Sequence, residues 1–199
     1  MNFILSCLLG FTIGSIPFGY LLAKWIKKID IRQHGSGNIG ATNVWRVCGR
    51  KLGIIVFILD ASKGLLPVLW LSYYNINYAL LCGIGAILGH TFTPYLKFKG
   101  GKSVATGLGI FIGIAPIQAI ISFGFWILIL QITGWVSVAS MGASATLVIL
   151  IFLAHHLSPI FFFTLTSFLL VVVAHRSNIK RLIQGKEPKL KTSKHHFFS

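Results

Sequence analysis

Residues 103–175 read SVATGLGIFIGIAPIQAIISFGFWILILQITGWVSVASMGASATLVILIFLAHHLSPIFFFTLTSFLLVVVAH, a run of 73 positions without one Lys, Arg, Asp or Glu. A water-soluble domain of this size has too little interior to hide such a stretch. A lipid bilayer accepts it, and there a helix needs about 20 residues to cross. The run fits four crossings of about 18 residues each, whereas two would leave far too much apolar chain over. Breaks at Pro116, at Thr133-Gly134-Trp135 and from His155 to Pro159 mark the divisions.

Working outward, three more apolar stretches precede the run, at about 3–26, 52–74 and 78–93. The pattern predicts an all-α integral membrane protein forming one domain over residues 1–199. It has seven transmembrane helices, the remaining four at about 103–118, 119–135, 136–154 and 157–174, and a basic tail at 175–199. The 103–118 segment is short and fits a tilted or re-entrant path. The opening MNFILS has no basic n-region and is not a typical signal peptide.

The chain has 199 residues, with 18 Lys plus Arg against 3 Asp plus Glu, for a net charge of +15. Hydrophobic residues make up 55% and charged residues 11%, which excludes a disordered chain. Asp30, Asp60 and Glu187 are too few and too scattered for a carboxylate dyad or a carboxylate-rich metal cage. Cys7, Cys48 and Cys82 form no CxxC, so neither a disulfide framework nor a zinc site is expected. No metal and no other cofactor is called for. The basic excess asks for anionic partners. Nucleic acid is not among them, because there is no soluble domain to hold it; phosphorylated small molecules and anionic membrane lipids fit.

Seventeen of the 18 basic residues fall in three clusters, at 24–51, 97–102 and 176–194; the eighteenth is Lys63. Seven crossings put all three clusters on one face, and the positive-inside rule makes that face cytoplasmic. The N-terminus is then outside and the tail inside. Small-xxx-small spacings at Gly10/Gly14, Gly85/Gly89 and Gly109/Gly113 suit close helix packing.

Gly, Ser, Asn and His collect in the same three segments. The first contains Gly35, Ser36, Gly37, Asn38, Gly40, Thr42 and Asn43, with Arg46 just beyond. Glycines let a backbone turn its N–H groups onto a phosphate, and Arg offers a planar fork to phosphate oxygens. The GxGxxG spacing at Gly35, Gly37 and Gly40 is no Rossmann signal, since no strand–helix–strand unit surrounds it. An anion-binding loop and a plain cytosolic loop both fit. The second segment holds Gly89-His90 and Lys99-Gly100-Gly101-Lys102-Ser103. Lys102 stands at a helix N-terminus, where the dipole prefers an acid, and an anion held between Lys102 and the terminal N–H groups accounts for it. His90 fits a base, a donor or a packing residue. The third segment holds His175, Arg176, Asn178, Arg181 and Glu187, the last a natural partner for an Arg or Lys. Asp60 and Lys63 share a helix face inside an apolar span and neutralise one another. Ser137 and Ser140 flank the other cytoplasmic turn and suit either the site or a helix interface.

Together these segments resemble the bacterial membrane acyl-phosphate:glycerol-3-phosphate acyltransferases (the PlsY family). The matching residues are Gly14–Gly19, Gly35–Arg46, Gly89-His90, Phe98–Thr106, and His175, Arg176, Asn178, Ile179, Arg181, Gly185 and Glu187. Asp60, Lys63 and Gly64 fit as well, and the chain departs from the family pattern at Ser103, where Gly is expected. The resemblance implies a bacterial inner-membrane, multi-pass transferase with its active site facing the cytoplasm. It transfers a fatty acyl group from acyl phosphate to glycerol 3-phosphate, giving lysophosphatidic acid and phosphate, the first committed step of phospholipid synthesis. Neither acyl-CoA nor acyl-carrier protein is used directly. Functional coupling to the enzyme that makes acyl phosphate from acyl-carrier protein is implied too. The chain shares the family's lack of a His-x4-Asp motif.

Within that reading, Ser36, His90, Lys102, His175 and Asn178 are the catalytic candidates. Gly35, Ser36, Gly37, Asn38, Thr42, Asn43, Arg46, Gly100, Gly101, Lys102 and Ser140 are the phosphate-binding candidates. Asp60, Lys63, Arg181 and Glu187 support them. The proton acceptor is His175, His90 or a substrate phosphate. An organic-phosphate transporter also suits basic cytosolic loops, but transporters place their polar site near the midplane and often carry repeats. A lipid-binding scaffold explains the charge but not the Gly-rich loops.

Overall fold

A computed structural model describes residues 2–190; Lys191 and Lys194 of the basic tail lie outside these residues. The helices are α1 (Phe3–Gly14), α2 (Phe18–Lys27), α3 (Ala41–Cys48), α4 (Arg50–Ser72), α5 (Ile76–Thr91), α6 (Val104–Ile114), α7 (Pro116–Thr133), α8 (Val136–His155), α9 (Pro159–Ala174) and α10 (Arg176–Ile183). Short 3-10 turns stand at Ile31–Gln33 and Pro94–Leu96.

Five helical segments are long and apolar enough to cross a bilayer: Phe3–Lys27, Arg50–Ser72, Ile76–Leu96, Pro116–Thr133 and Val136–His155. The pair α9–α10, bent by 55°, makes a sixth. The segment expected to be short at 103–118 is the one that falls furthest below full length. There α6 has 11 residues, a rise of roughly 16 Å against a hydrocarbon core of about 30 Å. It stops because Ala115 leaves helical geometry and Pro116, with no N–H to donate, begins α7.

Glycines set how closely the helices approach. A Cβ on Gly10 or Gly14 of α1 would strike the carbonyls of Cys82 or Ala86 on α5. Gly85 and Gly89 meet the carbonyls of Cys7 and Phe11 in return. The α4–α6 pair repeats the device, with Gly64 on the Thr106 carbonyl and Gly109 on the Ala61 carbonyl. This is small-residue packing of the membrane kind.

Pro17 separates α1 from α2 and leaves backbone carbonyls inside the bundle. They are answered by side chains: Thr93 Oγ1 donates to Ser15 O at 2.7 Å and Lys63 Nζ to Ile16 O at 2.8 Å. Lys63 also lies 2.8 Å from Asp60 Oδ1. A charge at this depth is tolerated because both of its partners are in place. One apolar cluster around Val68, Leu71, Ile110, Phe111 and Ile151 holds the spans together. A second, around Ala23, Ile31, Ile39, Val44 and Leu96, seats the first basic loop against α2 and α4.

Candidate active site

All three basic segments arrive at one cavity of ≈ 190 Å³. Its polar lining comes from loops and helix ends: Ser36, Thr42 and Arg46, then Lys102, then His175 and Asn178. Its apolar lining comes from helix interiors, among them Phe57, Phe111, Phe123, Leu147 and Phe168. A polar mouth above an apolar slot is the shape a lipid with a charged head requires.

The first loop is organised by Asn43. Its Nδ2 donates to the carbonyls of Asn38 (2.8 Å), His34 (3.0 Å) and Ile31 (3.3 Å), and its Oδ1 accepts from the Ser36 amide (2.9 Å). Both of its amide hydrogens and one lone pair of its oxygen are spent on backbone, so Asn43, which also lines the cavity, shapes the loop. Gly35 packs its α-carbon against Asn43 Oδ1 at a φ of +60 and does not line the cavity. Both were expected to contact phosphate; both build the turn that presents Ser36. Gly37 lines only the neighbouring cavity described below. Asn38 Oδ1 accepts from the Gly40 amide at 2.8 Å just before α3. Arg46, one turn into α3, reaches Pro188 O with Nη2 at 2.9 Å, while its buried Nε has no partner.

The second segment contains another correction. Gly100 and Gly101 were expected to offer their amides to a phosphate. Those amides instead donate to Thr91 O and His90 O, each at 3.0 Å. The glycines are needed for contact: a Cβ on Gly101 would stand 2.0 Å from His90 Nε2. His90 is buried, with Nδ1 3.7 Å from Asp60 Oδ1. It borders the cavity but is wedged behind the glycine loop, the place of a positioning residue. Ser103 adopts the left-handed conformation (φ 57) that suits a glycine. Its hydroxyl is held by Ile87 O at 3.0 Å and by Thr91 Oγ1 at 2.8 Å. The turn aims Lys102 at Asn178 Oδ1, to which Nζ donates. Burial pushes the Lys102 ammonium down to about 8, with Glu187 opposing and Arg181 and Arg46 reinforcing the shift.

The third segment is locked by Glu187. Its carboxylate accepts from Ser137 Oγ (2.8 Å), Asn178 Nδ2 (2.6 Å) and Arg181 Nε (2.8 Å). Burial alone would raise its pKa, but these three donors outweigh burial and hold it below the ordinary value. Trp135 Nε1 donates to Glu187 O at 3.1 Å. The tail after α10 is thereby tied to α8, and Asn178 is held with its amide on Glu187 and its carbonyl on Lys102. Trp135 had no signal in sequence beyond its place after a helix-ending Gly134. Ser140 accepts from Trp126 Nε1 at 3.2 Å and lines the cavity beside Ser137.

His175 is the first residue past α9, and Nδ1 lies 2.8 Å from Val171 O. A carbonyl only accepts, so Nδ1 carries the proton and Nε2 keeps its lone pair.

The charge balance is decisive. Among the described residues each acid is already engaged: Asp30 with Arg32, Asp60 with Lys63, Glu187 with Arg181. Arg46 and Lys102 therefore bring uncompensated positive charge to the cavity mouth, with the N-terminus of α6 between Lys102 and Gly107 beside them. Among the described residues no group of three His, Cys, Asp or Glu is placed to hold a metal ion.

Comparison with known proteins adds the following. A family model described as glycerol-3-phosphate acyltransferase matches residues 4–185. The chain is 40% identical over 193 residues to a glycerol-3-phosphate acyltransferase of Fusobacterium nucleatum subsp. nucleatum, covering 96% of this chain and 100% of that protein. It is 40% identical over 191 residues to one of Thermoanaerobacter pseudethanolicus, covering 96% of each. The crystal structure of PlsY (YgiH), an integral membrane glycerol 3-phosphate acyltransferase, in its glycerol 3-phosphate form matches with a TM-score of 0.91 at 36% identity, over 96% of both chains. Its lysophosphatidic acid form matches with a TM-score of 0.88 at 35% identity, again over 96% of both chains.

Proposed function

The chain belongs to the glycerol-3-phosphate acyltransferase family, and from that membership we propose that its acyl donor is a fatty acyl phosphate. It is a multi-pass membrane enzyme that acylates glycerol 3-phosphate. The observation that carries the donor assignment is the pair of uncompensated cations, Arg46 and Lys102, at the polar mouth of an apolar cavity. Two cations suit two small phosphate headgroups, one on each substrate.

A second feature supports direct transfer. The cavity lining contains no cysteine, and among the described residues no histidine is hydrogen-bonded to a serine. Among the described residues no Ser–His or Cys–His pair is therefore set up as a nucleophile for a covalent acyl-enzyme. An acyl phosphate is already activated, so positioning and charge stabilisation suffice. In this reading Ser36, Thr42 and Arg46 hold one phosphate. Lys102 and the α6 N-terminus hold the other and stabilise charge as the carbonyl is attacked. The glycerol hydroxyl oxygen bonds to the acyl carbon, the bond from that carbon to the bridging phosphate oxygen breaks, and phosphate leaves. Asn178 and Glu187 keep Lys102 aimed.

The hydroxyl proton goes to a substrate phosphate. A phosphate monoester has a second pKa of about 6, so a substrate phosphate can take this proton without a protein base. His175 Nε2 orients the acceptor hydroxyl instead, and His90 supports the loop from behind.

The proposal extends to topology: a short crossing by α6 alongside the longer spans, the N-terminus outside, the basic face in the cytoplasm of a bacterial inner membrane. The donor would then come from an enzyme that makes acyl phosphate from acyl-carrier protein. The test uses purified protein in lipid, with glycerol 3-phosphate and either palmitoyl phosphate or palmitoyl-CoA. Lysophosphatidic acid and phosphate should form from palmitoyl phosphate only, and Arg46→Ala and Lys102→Ala should abolish them. Turnover with the CoA donor alone would overturn the assignment.

A further inference from the structure

A second cavity opens beside the first, between α5 and α9. The two share Ser36, Asn38, Ile87, Thr91, Lys102 and Leu170, so they meet at the polar mouth. The second has two unlike halves. Leu88, Leu170, Val173 and Ala174 present apolar side chains, and Val173 is 59% exposed on the outer face of α9. Lys99, Lys102, Arg176 and Arg181 stand at its cytoplasmic rim. Among the described residues neither Lys99 nor Arg176 has an acidic partner, because the three acids are engaged elsewhere. Phe92 (47% exposed) and Phe98 (64% exposed) flank the rim, the position that aromatic residues take at a membrane interface.

The deep cavity receives its apolar lining from α4–α9 and reaches into the bundle. It gives an acyl tail a place to lie but leaves open how a finished lipid departs. The product of the reaction carries one acyl chain and one phosphate monoester, and pulling it through water would expose that whole chain. The second opening matches it in both parts, apolar wall for the tail and cationic rim for the head.

We propose that the gap between α5 and α9 is a lateral passage through which single-chain phosphate lipids, lysophosphatidate foremost, move between the active site and the bilayer. The tail slides along Leu170, Val173 and Ala174 while the phosphate is handed from Lys102 to Arg176 and Lys99.

The test does not depend on which acyl donor the enzyme uses. A photoreactive benzophenone side chain is placed at Val173 and, in a separate protein, at Leu169, which is exposed on the same helix but lines neither cavity. Each protein is reconstituted in phosphatidylcholine vesicles with a trace of radiolabelled palmitoyl lysophosphatidate and illuminated. The passage requires an adduct at Val173 well above that at Leu169. It also requires weak labelling at Val173 by monopalmitoylglycerol, which has the tail without the phosphate. Equal labelling at the two positions, or equal labelling by the two lipids, overturns it. Competition by palmitoyl phosphate would show that the donor takes the same route; lack of competition would reserve the passage for product.

A kinetic arm completes the test. Val173→Trp should lower turnover with the palmitoyl donor about tenfold while sparing a butyryl donor, whose tail is too short to need the wall. Leu169→Trp should leave both unchanged. Equal loss with both donors, or none with either, refutes the passage.

Discussion

Replacing Gly101 with alanine should move Lys102. The added Cβ would lie 2.0 Å from His90 Nε2, well inside the contact distance of about 3.5 Å between such atoms. Something must yield by more than an ångström. His90 has no room to swing, since it is buried with Nδ1 3.7 Å from Asp60 Oδ1. Asp60 is held in turn by Lys63, which is anchored on Ile16 O. The loop is the softer partner, and its next residue is Lys102. A misplacement of about 1 Å costs about 10²-fold in rate, and overpacking of this kind costs about 1–3 kcal/mol of stability. Gly101→Ala should therefore lose about two orders of magnitude in kcat/KM while remaining folded. The assay is lysophosphatidate formation in lipid, with thermal melting alongside. His90→Ala in the same protein frees the space and should restore part of the loss, so the two changes are far from additive. Activity within twofold of wild type in Gly101→Ala, or strict additivity in the double variant, would refute the wedge.

Raising pH through about 8 should weaken substrate capture, because the Lys102 ammonium, pushed down to about 8 by burial, loses its charge there; kcat/KM should fall above that pH, and Lys102→Arg should carry the decline to higher pH. A flat kcat/KM between about pH 7 and 9.5 in wild type would contradict the cationic role. Glu187→Gln keeps the shape of the acceptor but removes the charge that binds Arg181 and orients Asn178, so a loss of about 1.5–3 kcal/mol in transition-state or folding free energy is expected, read from kcat/KM and melting. Ser103→Gly relieves a left-handed serine at φ 57 but gives up its bonds to Ile87 and Thr91; the two effects oppose one another, and the melting free energy should change by less than about 1 kcal/mol.

The residues of the site are a lesson in what local composition conveys. Arg46, Lys102, His175 and Asn178 were legible because polar and basic residues are costly next to apolar spans. Glu187 was legible as an ion-pair partner because acids are so scarce in this chain. The roles of Gly35, Gly100 and Gly101 were not legible. Glycine in a loop marks either a backbone that offers its N–H groups or a backbone that must pass close to something, and composition does not separate the two. Here Gly100 and Gly101 give their amides to α5 carbonyls and Gly101 makes room for His90. Asn43, legible as a polar residue of the first loop, organises that loop through bonds to Ile31, His34, Ser36 and Asn38 that composition does not reveal. Ser137 was marked as a possible site residue, but its tie to Glu187 and that of Trp135 were not legible, since their partner lies some 50 positions away along the chain.

The membrane environment, the all-helical architecture and the gathering of positive charge on one face follow from the chain's own chemistry. A backbone in hydrocarbon must satisfy its hydrogen bonds locally, and 73 uncharged positions leave it no other solvent. Residue order also carried where the apolar segments lie, because hydropathy is a local property. The length of each helix was different. α6 stops after 11 residues, and its short reach is supported by packing against α4 through Gly64 and Gly109. Which cations remain unpaired was also settled only by the folded chain. That depends on three acids finding Arg32, Lys63 and Arg181 in space. Two of those pairings lie within three residues along the chain, and the third, six residues apart, needs the tail to turn back onto α10. Only then are Arg46 and Lys102 left facing a common cavity.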